Sequence, residues 1–183
     1  MKRAFDVALA IIALPFAVPL VVLCMAAIRA TSAGPAIFRQ TRVGRNERPF
    51  TCYKLRTMHA GTHDMPSHEA AASSVTPLGS RLRRLKLDEL PQLCNILVGD
   101  MSFVGPRPCL PSQTELAAAR RARGLYAIRP GITGVSQVAG VDMSDPEKLA
   151  VLDATYLADM SLAADLKLIL ATAFGAGRRD SVG

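Results

Sequence analysis

Tryptophan is absent from the 183 residues, and aromatic residues of any kind make up only 5%. Single-stranded nucleic acid is usually held by stacking bases on aromatic side chains, so that class of partner is poorly served. Cysteine is scarce too: Cys24, Cys52, Cys94 and Cys109 stand far apart, with no CxxC pair. This spacing excludes a disulfide framework and a zinc ribbon, and it suits isolated thiols in a reducing compartment. Acidic residues are outnumbered, 15 against 22 Lys and Arg, and the net charge is +7. Such a balance favours a polyanionic partner: nucleic acid, anionic lipid or a phosphorylated substrate. There is no internal repeat, no Walker loop and no dinucleotide fingerprint. A 50% hydrophobic and 20% charged composition over this length excludes disorder and supplies one domain with a core.

Charge is missing from one long stretch. After Lys2, Arg3 and Asp6, no charged residue occurs from Val7 to Ile28, a run of 22 residues. About 20 apolar residues suffice to span a bilayer as a helix, so membrane association is expected. Pro15 and Pro19 interrupt the run, and interior prolines kink helices. Basic residues flank both ends, Lys2 and Arg3 before it and Arg29, Arg39, Arg42 and Arg45 after it. A true span shows asymmetric flanks. Symmetric flanks around a kink favour a re-entrant element that enters and leaves by the cytoplasmic face, with a plain span as the alternative. A signal peptide fits poorly, because the apolar core is long and no small-x-small cleavage site follows.

Gly34-Pro35 marks the end of the run, and Ala36–Arg42 and Phe50–Arg56 read as two strands around a loop containing Gly44, Asn46 and Pro49. Arg39, Arg42, Lys54 and Arg56 make this hairpin basic, suited to substrate phosphate or to anionic headgroups. His59, His63 and His68, with Asp64 and Glu69, read as a solvated loop, with metal binding as the lesser alternative. Then follows Leu87-Asp88-Glu89-Leu90-Pro91-Gln92-Leu93. Leu87, Leu90, Leu93 and Leu97 share one helical face, and Pro91 suits a first turn. Asp88 and Glu89 would then lie near the helix's positive end, about 100° apart, in two different roles.

Downstream, Gly105-Pro106-Arg107-Pro108 and Arg129-Pro130-Gly131 each set an arginine at a rigid turn. Glu115–Tyr126 is predicted helical, with Arg120, Arg121 and Arg123 on a solvated or headgroup-facing side. Pro146 opens a helix through Leu157, and Ser161 caps another that carries Asp165, either a surface charge or an inward carboxylate near the site. Gly175–Gly183 reads as a frayed basic tail.

Taken in order, these segments resemble the bacterial sugar transferase family, the small monotopic phosphoglycosyl transferases. The resemblance rests on Lys2-Arg3-x-x-Asp6, the proline-broken run, Gly34-Pro35-Ala36-Ile37-Phe38-Arg39-Gln40-x-Arg42-x-Gly44 and Tyr53-Lys54-Leu55-Arg56-Thr57-Met58. It continues through the Asp88-Glu89 segment, Gly99-Asp100-Met101-Ser102-Phe103-Val104-Gly105-Pro106-Arg107-Pro108 and Arg129-Pro130-Gly131-Ile132-Thr133-Gly134. It implies an α+β fold: a compact helical domain with a small β-hairpin, a re-entrant helix kinked at Pro19, and interfacial helices. Residues 1–30 would form the membrane element, and 31–183 a cytosolic, membrane-associated catalytic domain.

The implied reaction moves sugar-1-phosphate from a UDP-sugar to polyprenyl (undecaprenyl) phosphate with release of UMP, using Mg²⁺. Asp88 is the implied nucleophile and a metal ligand, and Glu89 would handle protons or activate the lipid phosphate. Lys54, Arg56, Arg83, Arg107, Arg129 and Asp165 carry over as phosphate- or nucleotide-binding candidates. Partners would be the donor, the lipid acceptor and membrane lipid, not nucleic acid, with a homodimer left open. The implied location is the bacterial inner membrane, active site on the cytoplasmic face, in the minimal catalytic form. Val135, Ala139 and Val141 depart from the family pattern and put carried-over sugar contacts there in doubt, not the phosphate chemistry.

Overall fold

The computed structural model describes residues 1–62 and 72–176. The first helix, α1 (Lys2–Thr31), runs uninterrupted through Pro15 and Pro19. It is long and apolar enough to cross a membrane by length and composition. Each proline lacks an N–H, so the carbonyls of Ile11 and Pro15 lose their usual donors four residues on. The side of α1 that meets the domain is a seam of Asp6, Ala10, Ala17, Cys24 and Ile28. Most of these side chains are small and let the backbone approach closely. The large ones, among them Ile11, Ile12, Phe16, Val22 and Leu23, remain exposed.

Both ends of α1 are tied to the same domain. Lys2 Nζ lies 2.6 Å from Asp165 Oδ2, Arg3 donates to the Ile96 and Leu97 carbonyls, and buried Asp6 accepts from Ser102 Oγ at 3.0 Å and the Phe103 amide at 3.1 Å. At the other end, Arg56 donates to the Ala33 carbonyl at 2.8 Å and the Ser32 carbonyl at 2.9 Å. A guanidinium there complements the negative end of a helix.

The hairpin β1 (Ile37–Val43) and β2 (Pro49–Leu55) is antiparallel, displaced by one residue from the predicted strands. Asn46 and Glu47 take positive φ in its 3₁₀ turn. Next comes α2 (Pro77–Arg84), capped by the Thr76 hydroxyl on the Gly79 amide. The acidic pair departs from the predicted geometry. Leu87–Glu89 is a separate 3₁₀ turn, and α3 (Gln92–Val98) begins only after Pro91, which serves as N-cap. Short helical stretches joined at a proline obey the same leucine spacing as one helix, so periodicity alone does not separate them.

The two Gly-Pro-Arg segments turn out to be partners. β3 (Ser102–Val104) and β4 (Gly131–Thr133) form a two-stranded parallel sheet, extended by the Gly105 amide on the Thr133 carbonyl and the Gly131 amide on the Pro106 carbonyl, both at 2.9 Å. The backbones are so close that a Cβ on Gly105 would collide with the Arg129 carbonyl, and one on Gly131 with the Gly105 nitrogen. The remaining helices are α4 (Thr114–Ala122), α5 (Val135–Val138), α6 (Pro146–Ala158) and α7 (Leu162–Ala173), the last two capped by Asp145 and Ser161.

Arg120 requires a correction. It is not on a solvated side but buried, bonded to Asp153 Oδ2 at 2.9 Å and the Arg107 carbonyl at 2.7 Å. It lies one turn beyond buried Leu116, on the face that α4 presents to α6. Arg121 and Arg123 pair at the surface with Glu47 and Glu147.

Candidate active site

The approach to the acidic pair is strained. Lys86 has φ 57°, ψ 19°, a left-handed conformation that costs a non-glycine residue about 1 kcal/mol. It reverses the chain after α2 and swings Asp88 and Glu89 inward, where both are buried. They meet a cavity of about 250 Å³ between the hairpin and α2. Arg42, Lys54, Arg56, Arg83, Lys86 and Arg107 also line it, and Asp88 and Glu89 are the only carboxylates on its wall among the described residues.

Lys54, Arg83 and Arg107 arrive by different local devices. Lys54 stands opposite Phe38 in the hairpin register, so both share the cavity face, whereas Arg39, opposite Tyr53, lies on the other. Arg83 is oriented by its Nε donating to Thr57 Oγ1 at 2.9 Å. Arg107 is aimed by the interlocked β3–β4 turns. Glu89 Oε1 accepts from Lys54 Nζ at 3.0 Å and lies 3.4 Å from Arg107 Nη2.

The two carboxyls are driven apart electrostatically. Burial first, and then the negative charge of Glu89, push Asp88 above its ordinary value against the pull of Lys54, Arg83 and Arg107. Burial also opposes ionisation of Glu89, but Lys54, Arg107 and Lys86 together outweigh it and hold that carboxyl at about 2. Glu89 is therefore a fixed negative charge at neutral pH.

The predicted site residues divide. Asp88, Glu89, Lys54, Arg83 and Arg107 meet at one cavity, and Arg56 reaches its rim while its guanidinium holds the end of α1. Arg129 turns away to the Gly99 carbonyl at 2.6 Å. Asp165 is buried 2.5 Å from the Tyr156 hydroxyl and beside Lys2, off the cavity wall. Lys86 is a cavity residue absent from the predicted site set; its position directly before Leu87-Asp88 was the available signal. His59 lines the cavity, whereas His63, Asp64, His68 and Glu69 lie outside the described residues.

Among the described residues, no three His, Cys, Asp or Glu side chains gather as a metal cage. Mg²⁺ needs no such cage: it takes one or two carboxylates and completes its shell with water and substrate phosphate. The hard oxygen donors of Asp88, beside a cavity lined with basic side chains, fit that pattern.

A profile of the family described as bacterial sugar transferase matches residues 1–178. The chain belongs to the bacterial sugar transferase family. It is thereby an enzyme of the transferase class. Over 181 residues it is 40% identical to the UDP-glucose:undecaprenyl-phosphate glucose-1-phosphate transferase of Caulobacter vibrioides, covering 93% of this chain and 67% of that one. It is 37% identical over 172 residues to the uncharacterized sugar transferase EpsL of Bacillus subtilis, covering 94% and 85%. It is also 35% identical over 181 residues to the UDP-N-acetylgalactosamine-undecaprenyl-phosphate N-acetylgalactosaminephosphotransferase of Aeromonas hydrophila, spanning 94% of this chain but only 42% of that relative. The Caulobacter and Aeromonas relatives differ in the sugar named, so similarity of this degree does not specify it.

Proposed function

We propose that the chain transfers sugar-1-phosphate from a UDP-sugar to undecaprenyl phosphate through a covalent intermediate on Asp88. The observation that carries this reading is the cavity, where six basic residues share the wall with two carboxylates whose affinities for protons are driven in opposite directions. Relatives named for this reaction support the donor and acceptor classes.

In the first step an Asp88 carboxylate oxygen attacks the phosphorus that carries the sugar. A P–O bond to Asp88 forms as the P–O bond to UMP breaks, and UMP leaves with the electron pair. In the second, an oxygen of the lipid phosphate attacks the same phosphorus and Asp88 departs as a carboxylate. Lys54, Arg83 and Arg107 stabilise charge on the transferring and leaving phosphates. Glu89, ionised throughout, holds Lys54 and Arg107 in place, a role its low pKa suits better than proton transfer. Mg²⁺, held by Asp88 together with donor phosphate, would neutralise charge on the pyrophosphate.

The membrane element belongs to the same proposal. A helix of 30 residues is about 45 Å long, more than a bilayer core. Yet both its ends are bonded to one domain, which supports a re-entrant helix bent about Pro19, interfacial helices beside it, and an inner-membrane enzyme acting at the cytoplasmic face. Tags at Met1 and Thr31 should both report the cytoplasm; a periplasmic tag at either end overturns this topology.

The reaction is tested by incubating purified protein with a panel of UDP-sugars, undecaprenyl phosphate and Mg²⁺ and measuring UMP. Release that requires the lipid and vanishes in Asp88→Asn is expected. Steady release without lipid would mark a hydrolase instead.

A further inference from the structure

Among the described residues two apolar grooves flank α1, and one of the two shares residues with the phosphate cavity. The groove between α1 and α7, about 520 Å³, has walls that include Phe16, Leu20, Phe103, Ile132, Ile169 and Ala173. Its mouth is formed by Lys86, Glu89 and Arg107, three residues that also line the phosphate cavity. The groove on the opposite side of α1 is larger, about 740 Å³, but none of those three residues lines it, and its charged residues are Arg39 and Asp100. Thr172 of α7 lies 2.6 Å, hydroxyl to hydroxyl, from Thr133 of β4, and Lys2 of α1 pairs with Asp165 of α7. The groove's walls are thus tied to one another.

We propose that the α1–α7 groove holds the first isoprene units of the lipid acceptor, with its phosphate at Lys86 and Arg107. This assignment rests on the reading of the chain as a transferase with a lipid-phosphate acceptor. Continuity selects the occupant: a phosphate at this mouth adjoins Asp88, where an acceptor must arrive, so the chain it carries belongs to the reactant rather than to a bystander lipid. Phe16 and Leu20 follow Pro15 and Pro19, so the proline-bearing segment of the membrane helix also forms a wall of the acceptor site.

The full chain in phosphatidylcholine nanodiscs gives the test. Ala173→Phe, which fills the groove, should raise the KM for undecaprenyl phosphate about tenfold or more. Lipid-independent exchange of labelled UMP into UDP-sugar should persist, which shows that the variant is folded and Asp88 competent. Val22→Trp, in the other groove, should leave the acceptor KM within about twofold. An unchanged KM in Ala173→Phe, or an equal rise in Val22→Trp, overturns the assignment. In the unaltered protein, a polyprenyl phosphate bearing a benzophenone should cross-link to α7, with competition by undecaprenyl phosphate but not by phosphatidic acid. Equal competition by phosphatidic acid, or cross-linking confined to the opposite groove, also overturns it. Failure of the underlying function is distinct: the unaltered protein would show no UMP exchange with any UDP-sugar.

Discussion

Two buried acid–arginine groups lie within this domain, and they have opposite characters. Asp153 is closed on itself: Arg120 Nη2 donates at 2.9 Å and Ser136 Oγ at 2.7 Å, all inside the protein. Asp88 and Glu89 instead face an open cavity whose wall carries Arg42, Lys54, Arg56, Arg83, Lys86 and Arg107. Burial raises the pKa of both Asp88 and Asp153, so burial does not distinguish them. What does is stoichiometry and access. One acid matched by one arginine completes a fold, whereas six basic residues beside two carboxylates at a cavity leave an excess of positive charge that suits an anionic ligand.

The strongest way to break this comparison is to exchange the consequences of the two sites. Asp88→Asn should abolish UMP release, by about 10⁴-fold or more, while urea denaturation at pH 7 shows stability held or raised, since a buried acid with a raised pKa is disfavoured when ionised. Arg120→Met should do the reverse. Leaving Asp153 buried without its partner should cost about 3–5 kcal/mol in urea melts, with the activity of the folded fraction retained. Replacing Asp153 by Leu as well should recover most of that loss. Stability loss in Asp88→Asn, or direct loss of chemistry in Arg120→Met, would refute the division.

A smaller effect sharpens the electrostatics. Glu89→Gln should lower kcat/KM about ten- to a hundredfold through loosened Lys54 and Arg107. The acid limb of the UMP burst should have its inflection above the ordinary 3.8 of an aspartate in the unaltered protein and shift downward in this variant, because a negative neighbour is gone. For stability the signs oppose. Glu89, depressed from 4.5 to about 2, contributes fully above 4.5 and loses that contribution as pH falls toward 2. Asp88, raised, favours the folded state at acid pH and loses that contribution as pH rises through its folded value. The smallest effect belongs to the exposed Arg121–Glu47 pair: Arg121→Ala should leave both UMP release and the urea midpoint unchanged within error.

Much of this was legible locally. The hairpin, the helix opened by Pro146, the capping by Ser161 and the acidic pair follow from turn residues, cap residues and charge adjacency. The contact face of α1 was hidden, because an unbroken apolar run has no polar side to mark orientation. The mark is size instead: small residues on the seam and large ones outside. Arg120 and Arg121 also show the limit, since adjacent residues of one type differ only in which way the helix faces.

By itself the sequence determined the apolar helix, the basic hairpin and the paired carboxylates, since these depend on residues near one another in the chain. Only the tertiary structure decided which arginines reach the cavity. Arg107 and Arg129 occupy nearly mirror-image Pro-Gly contexts, yet the parallel pairing of β3 with β4 turns one toward Glu89 and the other toward Gly99. It likewise gave Asp165 to the first turn of α1 rather than to the cavity, through Lys2, 163 residues away in the chain. Charge of one sign is common in this sequence, and its use depends on distances that no local pattern encodes.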